Sequence, residues 1–188
     1  MYTTRAEPVS GAPSPPSLAG SCGARAALWR ALTQHGKQAF DQQHDTRARH
    51  LYEEALAEAE ALFKAAEEAV GSATVRLAPM AYNTSCQNVA ELARRQRDVE
   101  TEGIFLYRAY ERLVSVAEST KLPVELRSAC VEPLSAAAEA LIGYLTAHGL
   151  RDAALTYTER AEAATFQVLG LTGALGAPRS SAGGATEE

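Results

Sequence analysis

Aromatic residues are scarce in this chain, at 6% of 188 residues, and β-branched runs are few, so a sheet has little to be built from. Cysteine is sparser still. Cys22, Cys86 and Cys130 are odd in number, far apart and without CxxC spacing, which suits reduced thiols rather than a disulfide framework. No segment approaches roughly 18 consecutive apolar residues, and the first 23 residues show no basic stretch followed by an apolar core. Neither a membrane span nor an export signal is expected, and a cytoplasmic protein is. The net charge of -5 is mild, and the arginines are scattered among carboxylates rather than gathered on a stripe. That excludes a surface that gains its affinity from phosphate neutralisation, and with it nucleic acid as a partner.

The chemical signatures are missing too. Cys86 as a nucleophile needs an activating base and a group to orient it, yet His35, His44, His50 and His148 are all remote in sequence. His44 and His50 are six apart, which does not put them on one helical face as i, i+4 ligands would be, and neither HExxH nor paired CxxC occurs. The glycine-bearing stretches "GSATVRLA" and "GLTGALG" lack the spacing of a phosphate loop. No catalytic residue, metal ligand or cofactor is therefore expected.

What is present is alanine in abundance and apolar residues at helical spacing, which predicts an all-α protein. Residues 1–23, rich in Pro, Ser and Gly, and residues 171–188 read as disordered tails, since such composition buries too little to offset ordering entropy. Between them the spacing predicts a helical domain at 24–170 with hairpins at about 24–71, 79–119 and 123–169. The first helix, 24–43, places Leu28, Leu32, Ala39 and Phe40 on a stripe with Trp29 at its edge. The second runs from Asp45, as N-cap, to Gly71, as C-cap. Its apolar face is Ala48, Leu51, Tyr52, Ala55, Leu56, Ala59, Leu62 and Phe63, with Glu53, Glu54, Glu58, Glu60, Glu67 and Glu68 on a solvated opposite side.

Pro79 suits the first turn of a third helix ending near Gln96, and Asp98 the cap of a fourth. In that fourth helix Ile104, Phe105, Leu106 and Tyr107 predict cover on more than one side. Pro123 starts a fifth helix that Pro133 must kink or divide and Gly149 closes, and 151–169 form a sixth. The run "NTSCQN" from Asn83 to Asn88 opens onto the third helix, where Cys86 is a partly buried packing residue.

An internal spacing recurs. Gly36, Ala48, Tyr52 and Ala55 are followed by Ala90, Glu102, Leu106 and Ala109, and then by Ile142, Ala154, Thr158 and Ala161. Small residues let paired helices approach closely while an aromatic fills the space beside the crossing. With Glu102 at a small-residue position, a register slipped by one onto Gly103 and Tyr107 stays open. "LTQHGKQAF" with "DTRARHLYEEAL" resembles a tetratricopeptide repeat, and "NVAELARRQ" resembles the start of long-helix repeats of the kinesin light chain type. Positions 48, 102 and 154 lie about 53 residues apart against the 34 usual for that family, so helices or connections must be longer. A plain helical bundle would produce similar stripes.

The resemblance implies three antiparallel hairpins stacked as a short α-solenoid, with first helices lining a concave groove for a protein or peptide partner. Carried over, the groove residues are Arg30, Thr33 and Lys37, then Thr84, Gln87, Asn88, Glu91 and Arg95. Thr33 and Lys37 replace the lysine and asparagine of the family's carboxylate clamp, and Ala136 and Ala140 stand where its basic residues belong, so an acidic chaperone tail is not the expected ligand. The implied function is that of a non-catalytic adaptor or regulatory binding module. A secretion-type or holding chaperone is the alternative, and an enzyme of unknown reaction a remoter one. An uncapped array end makes Phe166, Val168 and Leu169 the candidate surface for a homo-oligomer.

Overall fold

With alanine plentiful and β-branched runs rare, the backbone satisfies its hydrogen bonds within each segment. The computed structural model describes residues 18–68 and 73–176, and these form α1 (Leu18–Asp41), α2 (Asp45–Glu68), α3 (Ala73–Arg95), α4 (Val99–Glu118), α5 (Val124–Ala129), α6 (Val131–Ala147) and α7 (Arg151–Gly176). No strand occurs among them, so the all-α expectation holds. Helix α1 begins before the expected residue 24, and α7 continues past 169. The rest of both expected tails, and the Gly71 cap, lie outside the described residues.

Three of the connections are the same backbone turn. After α1, α3 and α6 a single residue takes left-handed φ: Gln43 at 61°, Arg97 at 59° and Gly149 at 77°. The N–H of each reaches back three residues, to Phe40 O (2.9 Å), Arg94 O (3.0 Å) and Thr146 O (3.1 Å). The following N–H reaches back five, from His44 to Ala39 O (2.9 Å), Asp98 to Ala93 O (3.0 Å) and Leu150 to Leu145 O (2.9 Å). These paired bonds are the Schellman closure of a helix C-terminus. The same residue after the left-handed one also starts the next helix, since His44, Asp98 and Leu150 carbonyls accept from Ala48, Glu102 and Ala154. Each turn thus folds its second helix back on its first, and α1 packs on α2, α3 on α4 and α6 on α7.

The α2 stripe is buried as expected apart from Leu51, which is half-buried. At Gly36 a Cβ would lie 2.6 Å from the Tyr52 ring, so the α1–α2 approach depends on the missing side chain. On α4 Leu106 and Ala109 are buried while Tyr107 is 46% exposed, and Gly103 faces the Tyr144 hydroxyl, 2.5 Å from where its Cβ would be.

Several expectations need correction. On α1 the inward face carries Ala26, Trp29 and Ala39, while Leu28 points outward. The reason is polar as much as apolar: Trp29 Nε1 donates to buried Ser85 Oγ at 3.0 Å, which orients the indole towards α3. Pro79 lies inside α3 rather than at its start. An interior proline costs about 3 kcal/mol of helix stability. Its ring is fully buried, on the same helix as buried Val75, Ala78, Ala81 and Tyr82, and this burial offsets the lost hydrogen bond. The fifth expected helix is divided at Cys130 into α5 and α6, leaving Pro133 in the first turn of α6, where its missing N–H is an orphan anyway. Helix α4 does touch α3, α5, α6 and α7, yet Ile104 remains 53% exposed.

Asp98 caps α4 by accepting from Thr101 N–H at 3.1 Å, and bonding with Thr101 holds its carboxyl below the usual range. Asp45 is instead the first residue of α2, and its carboxylate is taken by Arg95 and Gln96 of the next helix pair. Nor is the glutamate side of α2 simply solvated: Glu58 meets Arg25, Glu60 meets Arg108 and Glu67 meets Arg112. Arg160 of α7 continues this bracing with Glu111 and Glu118 of α4, both at 2.9 Å.

Two measurements check this construction. Replacing Gly149 by Ala, with nothing within 4 Å of the new Cβ, tests the left-handed φ alone. It should cost about 1 kcal/mol, and Arg97→Gly should gain about 0.5 kcal/mol, in opposite shifts of a few °C in Tm. Gly36→Ala should cost about 1–3 kcal/mol by overpacking against Tyr52, whereas Gly143→Ala, also with open space, should stabilise α6. Urea unfolding of the two variants gives the comparison.

Candidate functional site

Helical periodicity lines up Gln87, Ala90, Glu91 and Arg94 along one side of α3, and Ala136, Ala140, Gly143 and Ala147 along one side of α6. Between these stripes, over Glu102 and Leu106 of α4, lies a cleft of about 740 Å³. Apart from Leu106 and Glu102, much of its lining is small, Ala90, Ala136, Ala140, Gly143 and Ala147, so the α3 and α6 backbones are close to whatever enters. Tyr144 closes one side, its hydroxyl donating to Val99 O at 3.1 Å, and this placement is allowed because residue 103 is glycine. The ring of His148 lies 4.4 Å from that of Tyr144, and its Nδ1 is 2.8 Å from Tyr144 O. On the α3 side Arg94 is paired with Glu91, one turn back.

Of the eight residues expected to face a groove, Gln87 and Glu91 line this cleft. Thr84 and Asn88 are half-buried on α3 outside its lining. Arg30 and Lys37 are exposed on α1, and Thr33 is half-buried there, its Oγ1 unpartnered among the described residues. Arg95 has a different task. It donates to Phe40 O at 2.6 Å, stacks 3.6 Å from the Phe40 ring and pairs with Asp45, fastening α3 to the turn between α1 and α2. Sequence reasoning missed Glu102, Glu139, Gly143 and Tyr144. The signal for the last three was in "SAAAEALIGYLTAH", where small residues recur at positions 136, 140, 143 and 147; Glu102, on α4, has none there.

The polar run 83–88 is largely interior: Asn83, Ser85 and Cys86 are all buried. Ser85 is held by Trp29, and burial pushes the Cys86 thiol up to about 12, as it does Cys130. A thiol so poised is a packing group at neutral pH, not a nucleophile. The four histidines are exposed, and among the described residues no three His, Cys, Asp or Glu side chains are grouped as a metal ion needs. Among the same residues no helix is long and apolar enough to cross a membrane. On α7 Phe166 is 73% and Leu169 53% exposed, but Val168 is fully buried, so the expected self-association surface loses that member.

Elsewhere, Tyr157 sits edge-on to both Tyr107 and Tyr110, at 5.9 and 5.1 Å, and accepts at its carbonyl from Tyr110 Oη at 2.8 Å. This aromatic group pins α7 to α4. A shallow apolar hollow beside it is bounded by Ile104, Leu141 and Leu145. Glu100, Gly103 and the rings of Tyr107, Tyr144 and Tyr157 complete its lining.

Alkylation with a maleimide at pH 8 should modify Cys22 in the native protein and leave Cys86 and Cys130 intact until denaturant is added. At that pH the two buried thiols are ionised to about one part in ten thousand. Mass spectrometry of the labelled chain reads the outcome, and native labelling of Cys86 at the rate of Cys22 would contradict its burial.

No curated protein and no solved structure matches the chain. The family described as Protein of unknown function (DUF2753) matches residues 27–169, which reach from the middle of α1 to the later part of α7. The chain belongs to that family.

Proposed function

We propose that the chain is a non-catalytic protein-interaction module of the cytoplasm, a short tetratricopeptide-like array of three antiparallel hairpins that holds a protein or peptide partner in the α3–α4–α6 cleft. The observation that carries this reading is the cleft itself: about 740 Å³ of space between regular helices, floored by alanine and glycine and edged by polar side chains. Such a surface has shape and hydrogen-bonding capacity but no activated nucleophile. Gln87 at its edge both donates and accepts, as suits a peptide backbone of any sequence. The repeat reading draws support from the same Schellman turn at Gln43, Arg97 and Gly149, and from Gly36 meeting Tyr52 as the family's close approach requires.

The test fills the cleft. Ala140→Trp should abolish recovery of a partner by the affinity-purified full chain, while Glu162→Ala, on the exposed side of α7, should leave it unchanged. A Tm within a few °C of the parent verifies that the filled variant is folded. The same partners recovered at the same yield with both variants would overturn the assignment of binding to this cleft.

A further inference from the structure

We infer that the occupant of the cleft is a basic protein segment, its Lys or Arg side chains meeting Glu102 and Glu139; this rests on the binding-module reading above. Charge complementarity carries the inference. The lining holds three carboxylates, Glu91, Glu102 and Glu139, against a single guanidinium, Arg94. Arg94 is already engaged by Glu91, whereas no hydrogen bond or ion pair among the described residues engages the side-chain carboxylate of Glu102 or Glu139.

Elsewhere on the surface some carboxylates are answered across helices, Arg25 with Glu58, Arg108 with Glu60, Arg112 with Glu67 and Arg160 with Glu111 and Glu118, while others, such as Glu53 and Glu132, have no side-chain partner among the described residues; what sets Glu102 and Glu139 apart is that both line one concave cleft. Two carboxylates on facing helices, α4 and α6, are left to a charge from outside. An acidic partner would meet like charge there, a repulsion that excludes it.

The floor adds the reason for a protein segment rather than a small cation. Ala90, Leu106, Ala136 and Ala140 give apolar contact between the charges, which the aliphatic stems of Lys and Arg can cover while their heads reach the carboxylates. From Ala136 to His148 the α6 wall spans about 18 Å at 1.5 Å per residue. An extended chain advances about 3.3 Å per residue, so about five residues fit along it.

The experiment measures binding of labelled peptides of about nine residues on one Ala/Leu/Ser scaffold, bearing three lysines, three glutamates or neither, by fluorescence anisotropy at low ionic strength. The lysine peptide should bind the full chain at least tenfold more tightly than the other two. The double variant Glu102→Gln, Glu139→Gln should weaken it about tenfold, and rising salt should do the same. Ala140→Trp should abolish binding.

If all three peptides bind equally and Ala140→Trp abolishes every one, the cleft stands as a binding site and the basic-segment inference falls. If the lysine peptide binds unaffected by either variant, its site is elsewhere, and both the inference and the cleft reading fail. No binding of the lysine peptide, or spermidine binding as tightly as it does, also overturns the basic-segment assignment, while partner recovery with Ala140→Trp still judges the cleft independently.

Discussion

Everything in this molecule depends on one backbone reversal, used three times. A residue with left-handed φ, at Gln43, Arg97 or Gly149, closes one helix and starts the next within three residues, leaving no slack in which the pair can choose its angle. With the angle set, the side chains at the crossing have fixed neighbours: Gly36 must remain small because the Tyr52 ring occupies its Cβ position. Two of these turns accept the strain of a non-glycine residue, about 1–2 kcal/mol each. The hydrogen bonds they make to carbonyls that the helix ends would otherwise orphan are what holds them there.

The cleft follows from how differently the pairs are joined. Between α1 and α3 large groups fill the junction, Trp29 through its bond to Ser85 and Phe40 beneath the Arg95 guanidinium. Between α3 and α6 the facing residues are Ala136, Ala140 and Gly143, and α5 intervenes in the chain before α6 begins. Small side chains there leave space instead of closing it. Alanine also makes the opening cheap to keep, since each exposed methyl forfeits little hydrophobic free energy while alanine supports the helix better than any other residue.

Much of the fold was legible because periodicity and caps are local. The α2 stripe, the Asp98 cap and the Gly149 closure each follow from a few neighbouring residues. What escaped depends on partners distant in sequence. Leu28 and Trp29 are adjacent and both apolar, and partners far along the chain, Ser85 and the core on which the indole packs, decide which faces inward. Pro79 reads as a helix start until the burial of its ring is known. Arg95 looked like a groove residue because nothing in its own helix shows that Phe40 and Asp45 wait across the junction. The α6 wall of the cleft was overlooked for the opposite reason: alanine and glycine carry no chemical signal, and a cavity is made by what side chains omit.

The distribution of charge ties these points together. Helices α2, α4 and α7 are braced across their exposed sides, Arg108 and Arg112 of α4 each binding a glutamate of α2 and Arg160 of α7 binding two of α4, and Arg112 also lies 4.9 Å from the Phe63 ring. Exposed pairs contribute only a few tenths to about 1 kcal/mol apiece, so their combined effect is to fix how the helices lie rather than to hold the protein folded. Among the described residues no ion pair joins α3 to α6, although Glu91, Arg94 and Glu139 stand on those two helices. Had Ala136 or Ala140 been an arginine, it would have crossed to a carboxylate and shut the space. The braced side is where the molecule's own charges meet across helices, and the α3–α6 cleft is where, among the described residues, none of them do.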